Sequence, residues 1–155
     1  QVVRKMSSKL RYVLQDFSYL KIDLVKGKDF WRVTSASKLN CLDNLIKNGG
    51  TFEVFSNVTK LLKRLLAGEY PNPTLFTDLI NGLSILEKIE TEEDLRNMEA
   101  IIVLRILNNL GYIGGSVKLD TLIKSPFEKE LVLEVKKSRK EILSHINKAL
   151  KETHL

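Results

Sequence analysis

Cysteine is almost missing from this 155-residue chain: Cys41 stands alone. One thiol closes no internal disulfide and supplies no zinc cluster, and it points to a reducing, cytoplasmic setting. Cys41 reads as a small buried hydrophobe on a helix rather than as a nucleophile. Histidine is nearly as scarce. His154 is next to last, where chains fray, and His145 has Glu141 and Ala149 at i±4. With no second donor histidine beside it, His145 is expected on a helix surface and not in a metal site. No apolar run reaches the roughly eighteen residues of a membrane-spanning helix, so no membrane partner is expected. The chain opens on Gln1-Val2-Val3, which lacks the length and small-residue pattern of a signal peptide and reads as a cut or processed start.

The machinery of catalysis is also lacking. Glu87, Glu90, Glu92, Glu93, Asp94 and Glu99 cluster in sequence, but their spacing is not that of a calcium loop. Helix capping and a solvated face account for them better. Gly111-x-x-Gly114-Gly115 is followed by no Lys-Ser or Lys-Thr pair, so it is no phosphate loop, and no Gly-x-Ser-x-Gly elbow occurs. Nothing assembles a nucleophile, a base and an oxyanion site. A non-enzyme with no catalytic residue, no metal and no cofactor is expected.

Positive charge is what the chain has, and it is uneven. Residues 1–40 carry nine basic groups, Arg4, Lys5, Lys9, Arg11, Lys21, Lys26, Lys28, Arg32 and Lys38, against Asp16, Asp23 and Asp29. The remaining residues hold sixteen basic and sixteen acidic groups, so the net charge of +6 lies wholly in the first quarter. Such a field draws polyanions to one surface, and binding by phosphate contacts weakens as salt rises. A solvated surface that only aids solubility is the other reading.

The pattern of apolar residues predicts an α+β, mostly α chain. Leu20, Ile22 and Leu24 alternate with Lys21 and Asp23, and Trp31 and Val33 alternate with Arg32 and Thr34, the period of half-buried strands. Lys26-Gly27-Lys28-Asp29 supplies the turn between them, with Gly27 available for positive φ. After Ser35 the pattern turns helical. Leu39, Leu42, Leu45 and Ile46 mark one face, ended by Gly49-Gly50. Val58, Leu61, Leu62, Leu65 and Leu66 follow a helical stripe, with Lys60, Lys63 and Arg64 opposite. Pro71-Asn72-Pro73 breaks the chain before a helix from about Thr74 to Ile89. Thr91 caps a fourth helix whose stretch Ala100–Leu107 is apolar nearly all round except for Arg105, which predicts a central, buried position. A short segment near Leu119–Ile123 and a long helix from about Glu128 to Leu150 complete a helical domain of five or six helices. The expected organisation is a β segment over 1–36 and a helical domain over 37–155.

Three stretches in this order resemble the bacterial RecO family. They are Val3-Arg4-Lys5-Met6-Ser7-Ser8-Lys9-Leu10-Arg11 with Leu14-Gln15-Asp16-Phe17, the hairpin from Val25-Lys26-Gly27-Lys28 into Val33-Thr34-Ser35-Ala36, and Arg105-Ile106-Leu107-Asn108-Asn109-Leu110-Gly111-Tyr112. Asp16 stands where that family commonly has proline. The resemblance implies a partial OB-fold at 1–36, lacking its first strands, followed by the helical domain. Many members carry a zinc-binding cysteine cluster after Leu-Gly-Tyr. Here the chain reads Ile113-Gly114-Gly115-Ser116-Val117-Lys118, so zinc is not carried over.

The resemblance further implies a recombination mediator in DNA repair. Such a protein binds single- and double-stranded DNA, anneals strands, and helps load recombinase on DNA coated by single-strand-binding protein, with RecR as partner. Arg4, Lys5, Lys9, Arg11, Lys26, Lys28 and Arg32 then contact phosphates. Phe17, Tyr19, Phe30 or Trp31 can stack on bases, with core packing as the other reading of these rings. Arg105 either pairs with the acidic, Phe-ending C-terminal tail of single-strand-binding protein or bridges to an internal acid such as Glu99 or Glu134. The alternative function is a helical protein-interaction module with no DNA binding of its own. A helix-turn-helix regulator is a weaker option, for which Lys60, Lys63 and Arg64 form the nearest recognition surface.

Overall fold

The computed structural model describes residues 9–66, 68–69, 71–114 and 117–153. The protein is α+β and mostly helical, with a two-stranded antiparallel sheet followed, among the described residues, by six helices. It divides into two compact units, Gln1–Ile46 and Lys47–Leu155.

In the first unit a 3₁₀ turn, Lys9–Tyr12, precedes strands β1 (Ser18–Lys26) and β2 (Trp31–Cys41). Strand β2 outruns the expected boundary at residue 36: Leu20 pairs with Lys38, Tyr19 with Asn40, and Ser18 with Cys41. Leu39 therefore sits in the sheet, at one of two register shifts, and not on a helix face. Thr34 marks the other shift, where its Oγ1 donates to the Asp23 carbonyl at 3.2 Å. Each shift leaves one extra residue on β2, which bends and twists a ribbon. Gly27 closes the turn by donating its N–H to the Phe30 carbonyl at 2.9 Å. It does not take the positive φ expected of it; a Cβ there would meet that carbonyl oxygen at 2.9 Å, so close approach is what demands glycine. At the foot of the hairpin Phe17 holds φ +59°, and its carbonyl accepts the Leu42 N–H at 3.0 Å.

The second unit is arranged around one helix. Its elements are α2 (Gly49–Leu65), α3 (Pro73–Leu86), α4 (Glu92–Asn109), α5 (Val117–Lys124) and α6 (Lys129–Glu152), while α1 (Asp43–Lys47) spans the division between the units. Helix α4 touches α2, α3, α5 and α6. That placement follows from its sequence: Met98, Ile101, Ile102, Leu104, Ile106 and Leu107 point all round the helix, so a surface position would leave some of them in water, and all are buried here. Around it close Val54 and Val58 of α2, Leu83 and Leu86 of α3, and Leu131, Val135, Ile142 and Ile146 of α6.

Helix ends are set by local chemistry. The Asp94 N–H donates to Thr91 Oγ1 at 3.2 Å, and Glu92, Glu93 and Asp94 occupy the first turn of α4, where the helix dipole favours acids. At its other end Gly111 takes φ +81°, the Gly111 N–H reaches the Asn108 carbonyl at 3.0 Å, and the Tyr112 N–H reaches that of Leu107 at 2.9 Å. These two bonds are the Schellman stop that Leu-Gly-Tyr encodes. Asn72 caps α3 through the Leu75 N–H at 2.9 Å, with Pro73 at the first helical position.

Gly49-Gly50 was expected to end a helix and instead begins one. Asn48 Oδ1 accepts the Gly50 N–H at 3.0 Å, which makes Asn48 the N-cap of α2. A Cβ at Gly50 would lie 2.7 Å from Leu95 Cδ1, so glycine lets α2 approach α4 closely.

One buried group works against stability. Asn97 of α4 is fully buried, and neither polar atom of its amide has a hydrogen-bond partner among the described residues. Replacing it by leucine removes the desolvation cost and keeps the same branched outline of four side-chain heavy atoms at a somewhat larger volume. Asn97→Leu is expected to raise unfolding stability by about 1–2 kcal/mol, read from the urea midpoint at unchanged slope. A loss of similar size would show that the amide is satisfied in solution.

Candidate nucleic-acid interface

Cross-strand partners share a face of a ribbon, so the register sorts the hairpin's side chains. Leu20, Ile22, Leu24, Trp31, Val33 and Ala36 make an apolar face. Lys21, Asp23, Arg32, Ser35, Ser37 and Asn40 make a polar one. Ser35 Oγ donates to the Asp23 carboxylate across that polar face. The apolar face is only partly covered, since Ile22, Leu24 and Trp31 all remain exposed.

Basic residues fall on both faces and gather at the tip. Lys26 lies directly across from Trp31, with Nζ 5.2 Å from the ring centroid. Arg32, on the opposite face, holds its guanidinium carbon 5.1 Å from the Phe30 ring centroid. Lys28 is exposed in the turn between them. Phe30 is 59% and Trp31 44% exposed, so neither ring is core. Contacts of this kind, cation over ring, are worth about 0.5–1 kcal/mol at exposed sites and hold both partners in place.

Of the other residues expected to contact phosphate, Arg11 is exposed in the 3₁₀ turn. Arg4 and Lys5 lie outside the described residues, as does the side chain of Lys9. Lys21 and Lys38 sit farther down the ribbon, exposed and on opposite faces. Phe17 and Tyr19 are half-buried, so the open rings among the described residues of the first unit are Phe30, Trp31 and Tyr12, the last at 76% exposure and not among the rings expected to stack. The adjacent pair Arg11-Tyr12 was its signal, a basic residue beside an aromatic.

No family model, curated protein or solved structure matches this chain.

In the helical unit Arg105 is 4% exposed. Its Nε and Nη2 donate to the Leu122 carbonyl at 3.3 and 2.8 Å, and Nη2 also donates to the Ser125 carbonyl. The guanidinium lies 3.9 Å from the Phe127 ring centroid, and Nη1 is 3.6 Å from Asp78 Oδ1. Burial pushes the guanidinium down from its ordinary value, and the Asp78 carboxylate opposes that shift. The internal acid is thus Asp78 of α3, and not Glu99 or Glu134; Glu99 accepts from Asn57 Nδ2 at 3.0 Å, and Glu134 is exposed. The remaining bonds satisfy carbonyls at the C-terminal end of α5, where a cation also meets the negative end of the helix dipole. Beside this cluster opens a groove of about 650 Å³, lined among others by Asn81, Asn109, Lys124 and Phe127.

Elsewhere, His145 is half-buried on α6, and His154 and the side chain of Cys41 lie outside the described residues. No group of three metal-ligating side chains occurs among the described residues, and no described helix is long and apolar enough to cross a membrane.

Proposed function

We propose that this chain is a DNA-binding recombination mediator of the RecO kind, a non-enzyme working in the cytoplasm on single- and double-stranded DNA. The observation that carries the reading is the meeting of exposed cations and exposed rings at the hairpin tip: Lys26, Lys28 and Arg32 with Phe30 and Trp31. A partial OB-fold presenting such a tip tracks phosphates with its cations and bases with its rings. The concentration of all net charge in residues 1–40 supports the same surface. Under this reading RecR is a partner, and the acidic tail of single-strand-binding protein docks at the groove beside Arg105.

Titration of labelled single-stranded DNA at rising salt tests the proposal. Binding at low salt that falls linearly on a log–log plot is expected, with a slope of about −0.7 per phosphate neutralised. No binding at low salt, or a response flat in salt, overturns it. In that case, capture of a peptide ending in acidic residues and Phe would favour the helical interaction module.

A further inference from the structure

The two cation–ring pairs stand on opposite faces of the hairpin. Lys26 and Trp31 form a cross-strand pair on the apolar face. Arg32 belongs to the polar face and draws the Phe30 ring toward it. Phosphate binding alone needs no exposed rings, because Lys and Arg suffice for it. Exposed rings offer flat apolar faces on which a base can stack.

From this we infer that the hairpin tip is a two-sided stacking platform for unpaired bases, and that it discriminates single strands from duplex. This inference rests on the nucleic-acid reading above. A single strand offers base faces that stack on Trp31 and on Phe30, while Lys26, Lys28 and Arg32 meet the phosphates between them. A duplex presents its phosphates to the same cations but keeps its base faces stacked inside. The cations thus serve both nucleic-acid forms, and the rings serve only one. The paired cation orients each ring and places positive charge where the backbone of a stacked base must pass.

Trp31 is the only tryptophan in the chain, so its emission reports on the tip alone. The full chain is titrated with an oligothymidine of about ten nucleotides and with a duplex of equal length at one salt concentration, following Trp31 emission and the anisotropy of labelled DNA. Quenching of Trp31 by the single strand and not by the duplex is expected. Phe30→Ala, a change at an exposed turn position, should weaken single-strand binding about five-fold or more and leave duplex binding unchanged. Trp31→Phe, which keeps a ring, should retain most single-strand affinity. Binding of both DNA forms with no change in Trp31 emission and no effect of Phe30→Ala overturns the stacking platform while leaving the phosphate surface standing. Absence of binding to either form overturns the nucleic-acid reading itself.

Discussion

Arg105→Ala is expected to destabilise the helical unit by about 3–5 kcal/mol, the cost of breaking a buried charged network by removing one partner. The loss has several parts. The carbonyls of Leu122 and Ser125 lose their donor, Phe127 loses the guanidinium stacked on it, and Asp78 loses its nearby cation. The vacated space is walled by Leu75 and Leu79 of α3, Ile102 and Ile106 of α4, and Phe127, so removing the side chain leaves a cavity among packed groups. Arg105→Lys should recover only part of the loss, because an ammonium cannot reach two carbonyls and lie flat on a ring at once. Urea unfolding followed by circular dichroism reads both. A change below about 1 kcal/mol for Arg105→Ala would mean that the guanidinium is not held inside by these partners, and would return it to the role of an exposed docking cation.

The second large effect is electrostatic. Neutralising Lys26, Lys28 and Arg32 together should make the salt slope of single-strand binding shallower by about 2, since each phosphate contact contributes about 0.7. Affinity at low salt should fall by about ten-fold or more. The comparison needs cations that carry the same charge elsewhere. Lys136 is unsuitable because its Nζ lies 3.0 Å from Glu93 Oε2, and Arg139 because it is half-buried. Lys137 and Lys140 are exposed on α6, and neutralising them should leave the slope nearly unchanged. Equal losses from the two sets would show that binding follows overall charge and not the hairpin surface.

Much of the helical unit was legible residue by residue. The all-round apolar stretch of α4 announced a central helix, and Thr91 announced its N-terminal end. The long helix expected from about Glu128 to Leu150 runs over Lys129–Glu152, and it buries Leu131, Val135, Ile142 and Ile146. The errors cluster where two local readings compete. Leu39, Leu42, Leu45 and Ile46 fit a helical spacing, but pairing with β1 held residues through Cys41 in the sheet. Gly49-Gly50 is as good a stop as a start by propensity alone. The Asn48 cap and the closeness of Leu95 made it a start.

The candidate site was legible as a list and not as an arrangement. Alternation assigned Trp31 and Arg32 to opposite sides of a strand, yet nothing local said that Trp31 would meet Lys26 or that Phe30 would remain open. For Arg105 an internal acid was one of two expected partners, with Glu99 and Glu134 as the candidates; the acid beside it, Asp78, lies 27 positions earlier and follows no helical spacing. Its carbonyl partners are backbone atoms, which no side-chain pattern can reveal.

Composition and periodicity by themselves determined the α+β class, the central helix, its N-terminal cap and the crowding of positive charge into residues 1–40. Those features act within a turn of helix, a pair of strand residues or a simple count, and a chain carries them whatever it packs against. Tertiary structure alone decided that Arg105 turns inward to α3 and α5, that β2 outlasts its sequence pattern, and that cations and rings converge at one tip. The first two depend on residues far apart in sequence brought within a few ångströms, where burial and strand pairing override local preference; the third, confined to residues 26–32, depends on the register in which the hairpin closes.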